Sequence, residues 1–269
     1  MGLLALGVLW VNAALVLAVA LRQLGNVLAL GRRLRALRAN GELTAGVVEG
    51  GEGPFAVRRI TQIGRAMTTR GPDRILFTDG PQSFEILGGV VKTDRGSVEV
   101  APAQPAESEV WIDDARAREG AACPDAGEFE AAWRPASTFK GFARDVELEV
   151  RAGDRVWVAG AREGDRLVPR EDAPLLVSLV DPVAFCAARA RLLVAFVGLA
   201  TAALGGVTAA ALWPPHFGAV STAGGVLCVA YFLGIQPLGT AVRDAVKTPS
   251  RRLVGALWQR PRAAAVSAA

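Results

Sequence analysis

The stretch Leu192–Val242 reads LLVAFVGLATAALGGVTAAALW-PPHF-GAVSTAGGVLCVAYFLGIQPLGTAV. It carries no Asp, Glu, Lys or Arg, and the break Pro214-Pro215-His216-Phe217 divides it into Leu192–Trp213 and Gly218–Val242. At 1.5 Å of rise per helical residue, each half is long enough to cross a hydrocarbon layer roughly 30 Å thick. Backbone amides find no water in that layer, so an uncharged run of this length is expected to be helical throughout. The pattern predicts two transmembrane helices, 192–213 and 218–242, joined as a hairpin.

A third uncharged run, Gly2–Leu21, opens the chain. A cleaved signal peptide needs a basic leader, a short apolar core and a small-residue cleavage site. Here the leader is Met1-Gly2, the apolar run is full length and Arg22 follows at once, so 2–21 reads as a retained signal anchor. Asn12 lies mid-span, where a lone amide is expected to bond to a neighbouring helix. Leu24, Val27, Leu28, Leu30, Leu34 and Leu37 then recur at three- and four-residue spacing, which extends the helix over 22–40 as a basic amphipathic segment ending at Asn40-Gly41.

Charge placement sets the expected orientation. Arg22, Arg32, Arg33, Arg35 and Arg38 follow the first run, Arg189 and Arg191 precede the second, and Arg243, Lys247, Arg251 and Arg252 follow the third. The hairpin tip carries none. The positive-inside rule then puts the N-terminus outside, with residues 43–181 and the tail 243–269 in the cytoplasm. These arginines are expected to form a lipid-facing collar, which accounts for the formal net charge of +4 without a nucleic-acid partner.

Residues 43–181 read as strands. Short β-rich runs recur at Thr44–Glu49, Phe55–Ile60, Ile75–Thr78, Phe84–Leu87, Gly89–Lys92, Ser97–Ala101, Val110–Ile112, Val146–Val150, Arg155–Ala159 and Leu175–Leu179. Turn signals separate them: Gly50-Gly51, Gly71-Pro72-Asp73, Thr78-Asp79-Gly80-Pro81, Asp94-Arg95-Gly96 and Ala152-Gly153-Asp154. The fold class expected is therefore an α+β membrane protein. A small barrel- or sandwich-like β domain stands between one N-terminal and two C-terminal transmembrane helices. Asp113–Lys140 is acidic and poor in branched residues, and reads as a loop with a short helix over Gly127–Trp133. The tail offers Leu253, Val254, Ala256, Leu257 and Trp258 as one face of a short interfacial helix, Trp258 at head-group level, with the residues from Pro261 disordered.

Chemistry is sparse. Cys123, Cys186 and Cys228 lie far apart and the only histidine, His216, is in the hairpin tip, so no metal site, cofactor or nucleophile–histidine pair is expected. Asp113, Asp114, Glu119, Asp125, Glu128 and Glu130 form an acidic run that could serve a hydrolase only if paired carboxylates converge. Gly205-Gly206 and Gly224-Gly225 suit close helix packing, and Gln236-Pro237 a kink. No ionisable group falls within a span, which argues against a transporter.

One segment is distinctive: Glu147-Leu148-Glu149-Val150-Arg151-Ala152-Gly153-Asp154-Arg155-Val156-Trp157-Val158-Ala159-Gly160. With Phe84-Glu85-Ile86, Gly96–Val100 and Ala173–Ser178, it resembles the GIDE domain, also called the beside-a-membrane (BAM) domain, over roughly residues 43–210. That resemblance implies a β domain close against a bacterial inner membrane. In the mitochondrial ubiquitin ligases the same domain is followed by a zinc-binding RING. Here the residues after Val242 contain neither Cys nor His, so ubiquitin transfer is not implied. The function expected is a scaffold that binds membrane lipids and a membrane or cytoplasmic protein, or a second copy of itself. Trp111, Trp133 and Phe139 are the candidate contact residues. The alternatives are a ligase-related transferase and a hydrolase using residues 113–130.

Overall fold

The computed structural model describes residues 3–51, 53–67, 74–123, 125–136 and 141–260. Two compact units emerge. One comprises Met1–Ala36 and Asp181–Lys247, the other Leu37–Val180 and Thr248–Ala269.

The first unit is helical. Helix α1 runs Leu3–Ala39, α4 Pro182–Ala211 and α5 Ala219–Ala245, and all three are long and apolar enough to cross a membrane. The first expected span and the basic segment after it are one helix. It ends as its residues foretell: Gly41 takes φ +77°, and the Glu42 amide donates back to the Leu37 carbonyl at 2.9 Å. Asp181 starts α4 by accepting from the Val183 and Ala184 amides. Leu9, Ala13, Leu204 and Cys228 pack together, as do Ala20, Leu193, Phe196 and Ile235. Leu15, Leu199, Val226 and Leu233 face outward, the arrangement a bilayer stabilises and water does not. Of the four expected packing glycines only Gly224 is one, since a Cβ there would collide with the Ala210–Ala211 backbone; Gly205, Gly206 and Gly225 have open space. Asn12 is 8 % exposed and accepts from Gln236 Nε2 at 2.6 Å, the interhelical bond expected of it.

The second unit is β-rich. Its strands are β1 (Leu43–Val48), β2 (Ala56–Ala66), β3 (Arg74–Ile86), β4 (Gly89–Thr93), β5 (Gly96–Val100), β6 (Ser108–Trp111), β7 (Phe142–Val150), β8 (Arg155–Ala159), β9 (Ala161–Glu163), β10 (Arg166–Val168), β11 (Leu175–Ser178) and β12 (Leu257–Gln259). Eight form a sheet in the order β6-β11-β8-β1-β4-β5-β10-β9, and four form a second in the order β12-β3-β2-β7. Alternation puts Ile60, Val146, Leu148 and Val150 of the second sheet in one core with Val48, Val91, Val98, Val156, Val158, Leu167 and Val177 of the first.

Three expectations are corrected here. The turn foreseen at Thr78-Asp79-Gly80-Pro81 is strand: β3 runs through it beside an irregularity between Ile60 and Gln62 of β2. The irregularity tolerates Pro81, which has no amide to give a ladder, and Gly80 is needed because a Cβ there would lie 2.8 Å from the Thr61 carbonyl oxygen. Within Asp113–Lys140 the helix expected over Gly127–Trp133 is present as α3 (Ala126–Ala136), but an unforeseen helix, α2 (Asp114–Ala121), takes part of the foreseen loop. Asp113 caps α2 by accepting from the Ala115 and Arg116 amides. Finally, Leu253–Trp258 forms no interfacial helix. Leu257–Gln259 adds β12 to the edge of β3, and Trp258 is 3 % exposed among Ile75, Phe77 and Phe129. The turn expected at Gly71-Pro72-Asp73 and the residues from Pro261 lie outside the described residues.

Candidate functional site

Arg22, Arg32, Arg33, Arg35 and Arg38 are exposed along α1, as are Arg191, Arg243 and Arg251, while Arg189 lies half-buried with its guanidinium over the Phe185 ring at 4.9 Å. Arg252 departs from the collar: it pairs with Asp114 of α2 and belongs to the β unit. The aromatic contact residues fare differently again. Trp111 is 2 % exposed, its indole donating to Glu109 Oε1 at 2.8 Å, so it is core. Trp133 stacks on Phe129 with ring centroids 5.9 Å apart, and Phe139 lies outside the described residues.

The acidic run disperses among the described residues. Asp113 and Asp125 accept helix-start amides, Asp114 pairs with Arg252, Glu128 lies 3.7 Å from Arg144, and Glu130 lies 2.6 Å from Arg260. These five carboxylates each serve a different cap or pair, and the sixth, Glu119, lies apart from them in a groove beside β7. Cys123 donates to the Asp125 carbonyl at 3.2 Å, and burial raises its thiol above the ordinary range, which disfavours a nucleophilic thiolate.

Residues 248–260 form a strap across the β unit, and besides the Asp114 and Glu130 pairs a cluster of Arg58, Gln62, Asp79 and Arg144 holds it. Arg58 of β2 is 1 % exposed. Its guanidinium donates to the Pro249 carbonyl at 2.8 Å, the Ser250 carbonyl at 3.1 Å, the Arg252 carbonyl at 3.0 Å and Gln82 Oε1 at 2.9 Å. Burial lowers it to about 10, with the Asp79 carboxylate opposing the shift, so it stays charged at neutral pH. Gln62, four residues on and on the same inward face, donates to Asp79 at 2.6 Å and to the Val254 carbonyl at 3.1 Å; Asp79 also accepts the Val254 amide. Arg144 of β7 donates to Gln62 Oε1 and lies 4.2 Å from both the Phe77 and the Trp258 ring centroids. Sequence reading missed this cluster. Its only signal is Arg58 and Gln62 at inward positions of an otherwise apolar strand face.

A groove of about 530 Å³ lies between α2 and β7. Because β7 ends its sheet, one side of it is unpaired among the described residues. The Glu149 carbonyl points to that side and accepts from Arg116 at 3.1 Å. Strand alternation turns the Glu147 carbonyl and amide the same way. The groove is lined by the carboxylates of Glu119, Glu147, Glu149 and Asp154 against the guanidinium groups of Arg116 and Arg151. Arg116 grips Asp154 with both terminal nitrogens, at 2.7 and 2.8 Å. That hydrogen bonding holds the Asp154 carboxyl below its ordinary value and the guanidinium above. Gly120 lets α2 approach, since a Cβ there would strike the Leu148 side chain. Glu147 also pairs with Arg59 at 2.7 Å and Glu149 with Arg151 at 2.5 Å, so the four carboxylates outnumber their three arginines by one. This slight negative excess beside outward backbone groups suits an extended cationic polypeptide.

No protein-family model, curated protein or solved structure matches this chain.

Proposed function

We propose that this chain is a membrane-anchored binding scaffold whose β unit takes a basic, extended polypeptide segment in the groove between α2 and β7. The observation that carries this reading is the pairing of an unpaired strand edge with four carboxylates along one groove. The three apolar helices would hold the unit at a bacterial inner membrane, N-terminus outside and β unit in the cytoplasm. The arginines flanking each helix on one side support that orientation. Resemblance to the GIDE or BAM domain supports the same picture, in that its most distinctive segment falls on β7, the Gly153 turn and β8. The two sheets around one core are in keeping with a sandwich-like domain.

The test uses the full chain in native membranes with a photo-reactive residue in place of Glu119. The expected result is a crosslink to a protein with a basic extended segment, lost when Glu147→Lys and Glu149→Lys reverse the charge of the groove. A crosslink that survives charge reversal, or one to lipid alone, would overturn the reading.

A further inference from the structure

A second cavity, of about 260 Å³, lies wholly within the helical unit, between α1 and α5 with Leu193 of α4. Asn12 and Gln236 bond to each other at one end, and a Cβ on Gly239 would lie 2.5 Å from a Val16 methyl, so α1 and α5 run in the same direction here. Gly239 therefore allows the helices to meet at that level. Above it the walls carry Thr240 and then Gln23 and Arg243. From Gln236 to Arg243 is two helical turns, a depth of about 10 Å. Leu15 and Val19 on the rim are exposed, so the cavity opens sideways onto the helical unit's apolar surface.

This lining forms a gradient. It is amide at the floor, apolar on the wall, hydroxyl one turn higher and cationic at the mouth. A pocket for water alone would not need apolar walls, and a purely apolar crevice would not need Arg243. We infer that the crevice binds one anionic phospholipid. Its phosphate meets Arg243, its ester region meets Thr240 and Gln23, and its acyl chains lie past Val19 into the surrounding bilayer. Arg243 also lies 3.6 Å from Asp244, a half-exposed pair that a phosphate can replace as partner. This inference concerns the helical unit and stands or falls apart from the groove of the β unit.

The experiment reconstitutes the full chain in phosphatidylcholine vesicles and compares spin-labelled phosphatidylglycerol with spin-labelled phosphatidylcholine, reading the motionally restricted lipid. One interfacial cation contributes about 1 kcal/mol of attraction to anionic lipid, so phosphatidylglycerol should be preferred about fivefold. Arg243→Gln should abolish that preference, while Arg191→Gln, on a collar arginine outside the crevice, sets the generic electrostatic baseline and should lower it less. Val19→Trp fills the mouth from an exposed position and should remove the restricted phosphatidylglycerol component. Equal losses for Arg243→Gln and Arg191→Gln, or no preference between the two lipids, would overturn the proposal. So would a disulfide between Val19→Cys residues of two copies, which would make the crevice a self-association face.

Discussion

Replacing Arg58 by Met should open the strap while leaving the rest of the β unit closed. The substitution keeps an unbranched apolar stem in the space but removes the donors to the Pro249, Ser250 and Arg252 carbonyls and to Gln82. Pro249 and Ser250 are buried, and a buried acceptor left without a partner costs about 1–3 kcal/mol. Relief from burying a cation offsets part of that loss, which leaves a net effect of about 3 kcal/mol, at the lower edge of the range for breaking a buried charged network. At about 1.4 kcal/mol per factor of ten, the equilibrium for opening the strap should shift by roughly two orders of magnitude. Amide hydrogen exchange of the full chain in detergent micelles reads this directly. Peptides covering 249–259 should exchange about a hundredfold faster, while those of β1 and β8 keep their protection. Arg58→Lys keeps the charge but not the fork, and should fall between the two. Unchanged protection of 249–259 would refute the clamp, and equal acceleration across β1 and β8 would show that Arg58 supports the whole unit rather than the strap.

Three further outcomes follow from the packing and charge. Trp258→Ala removes a ring that sits 4.5 Å from Phe77 and donates to the Ala121 carbonyl, and should cost about 3–5 kcal/mol; a thermal midpoint equal to the parent's would contradict its place in the core. Asn12→Leu should weaken association of α1 with α5 by about 1 kcal/mol, read as a lower denaturant midpoint of the helical signal in micelles, and no change would mean the Gln236 bond contributes nothing net. The Asp154 carboxyl is depressed by Arg116, so its contribution is present above the ordinary carboxylate range and is lost as pH falls through the lowered value. Exchange protection of α2 should therefore fall in acid in the parent and be flat across that window in Asp154→Asn. A parent as flat as the variant would sink the assignment.

The helical unit was the more legible because long uncharged apolar runs leave few alternatives to a helix. Leu192–Val242 and Gly2–Leu21 could be nothing but helices once their length and lack of charge were seen, and Gly41 marks the end of α1 by its chemistry alone. Strands β1, β4, β5, β8 and β11 were legible from alternation, within a residue or two of their bounds. The failures have physical causes. Leu253–Trp258 carries an apolar spacing compatible with either period, and only the waiting edge of β3 and the Phe77–Phe129 pocket decide for a strand. Helix α2, DARAREGA, lacks the apolar stripe that betrays a helix, although Asp113 at its start was a readable cap. The groove joins Arg116 and Glu119 of α2, Glu147 and Glu149 of β7, and Asp154 of the turn beyond, which no spacing in the sequence brings together.

The strap also orders events during synthesis. The β unit uses Leu37–Val180, yet it is finished only by residues from Thr248 onward, which are made after both α4 and α5. At roughly 5–20 residues per second, the roughly 70 residues between them take several seconds to translate. Throughout that interval Phe77, Phe129 and the buried guanidinium of Arg58 wait without Trp258 and the strap carbonyls. The second sheet is then a three-stranded one with β3 open along its edge. The ribosome therefore sets a delay in which the unit is sticky and vulnerable to proteases. The last helices must be made before it can be relieved, so the chain cannot complete its β unit ahead of the segments that would anchor it.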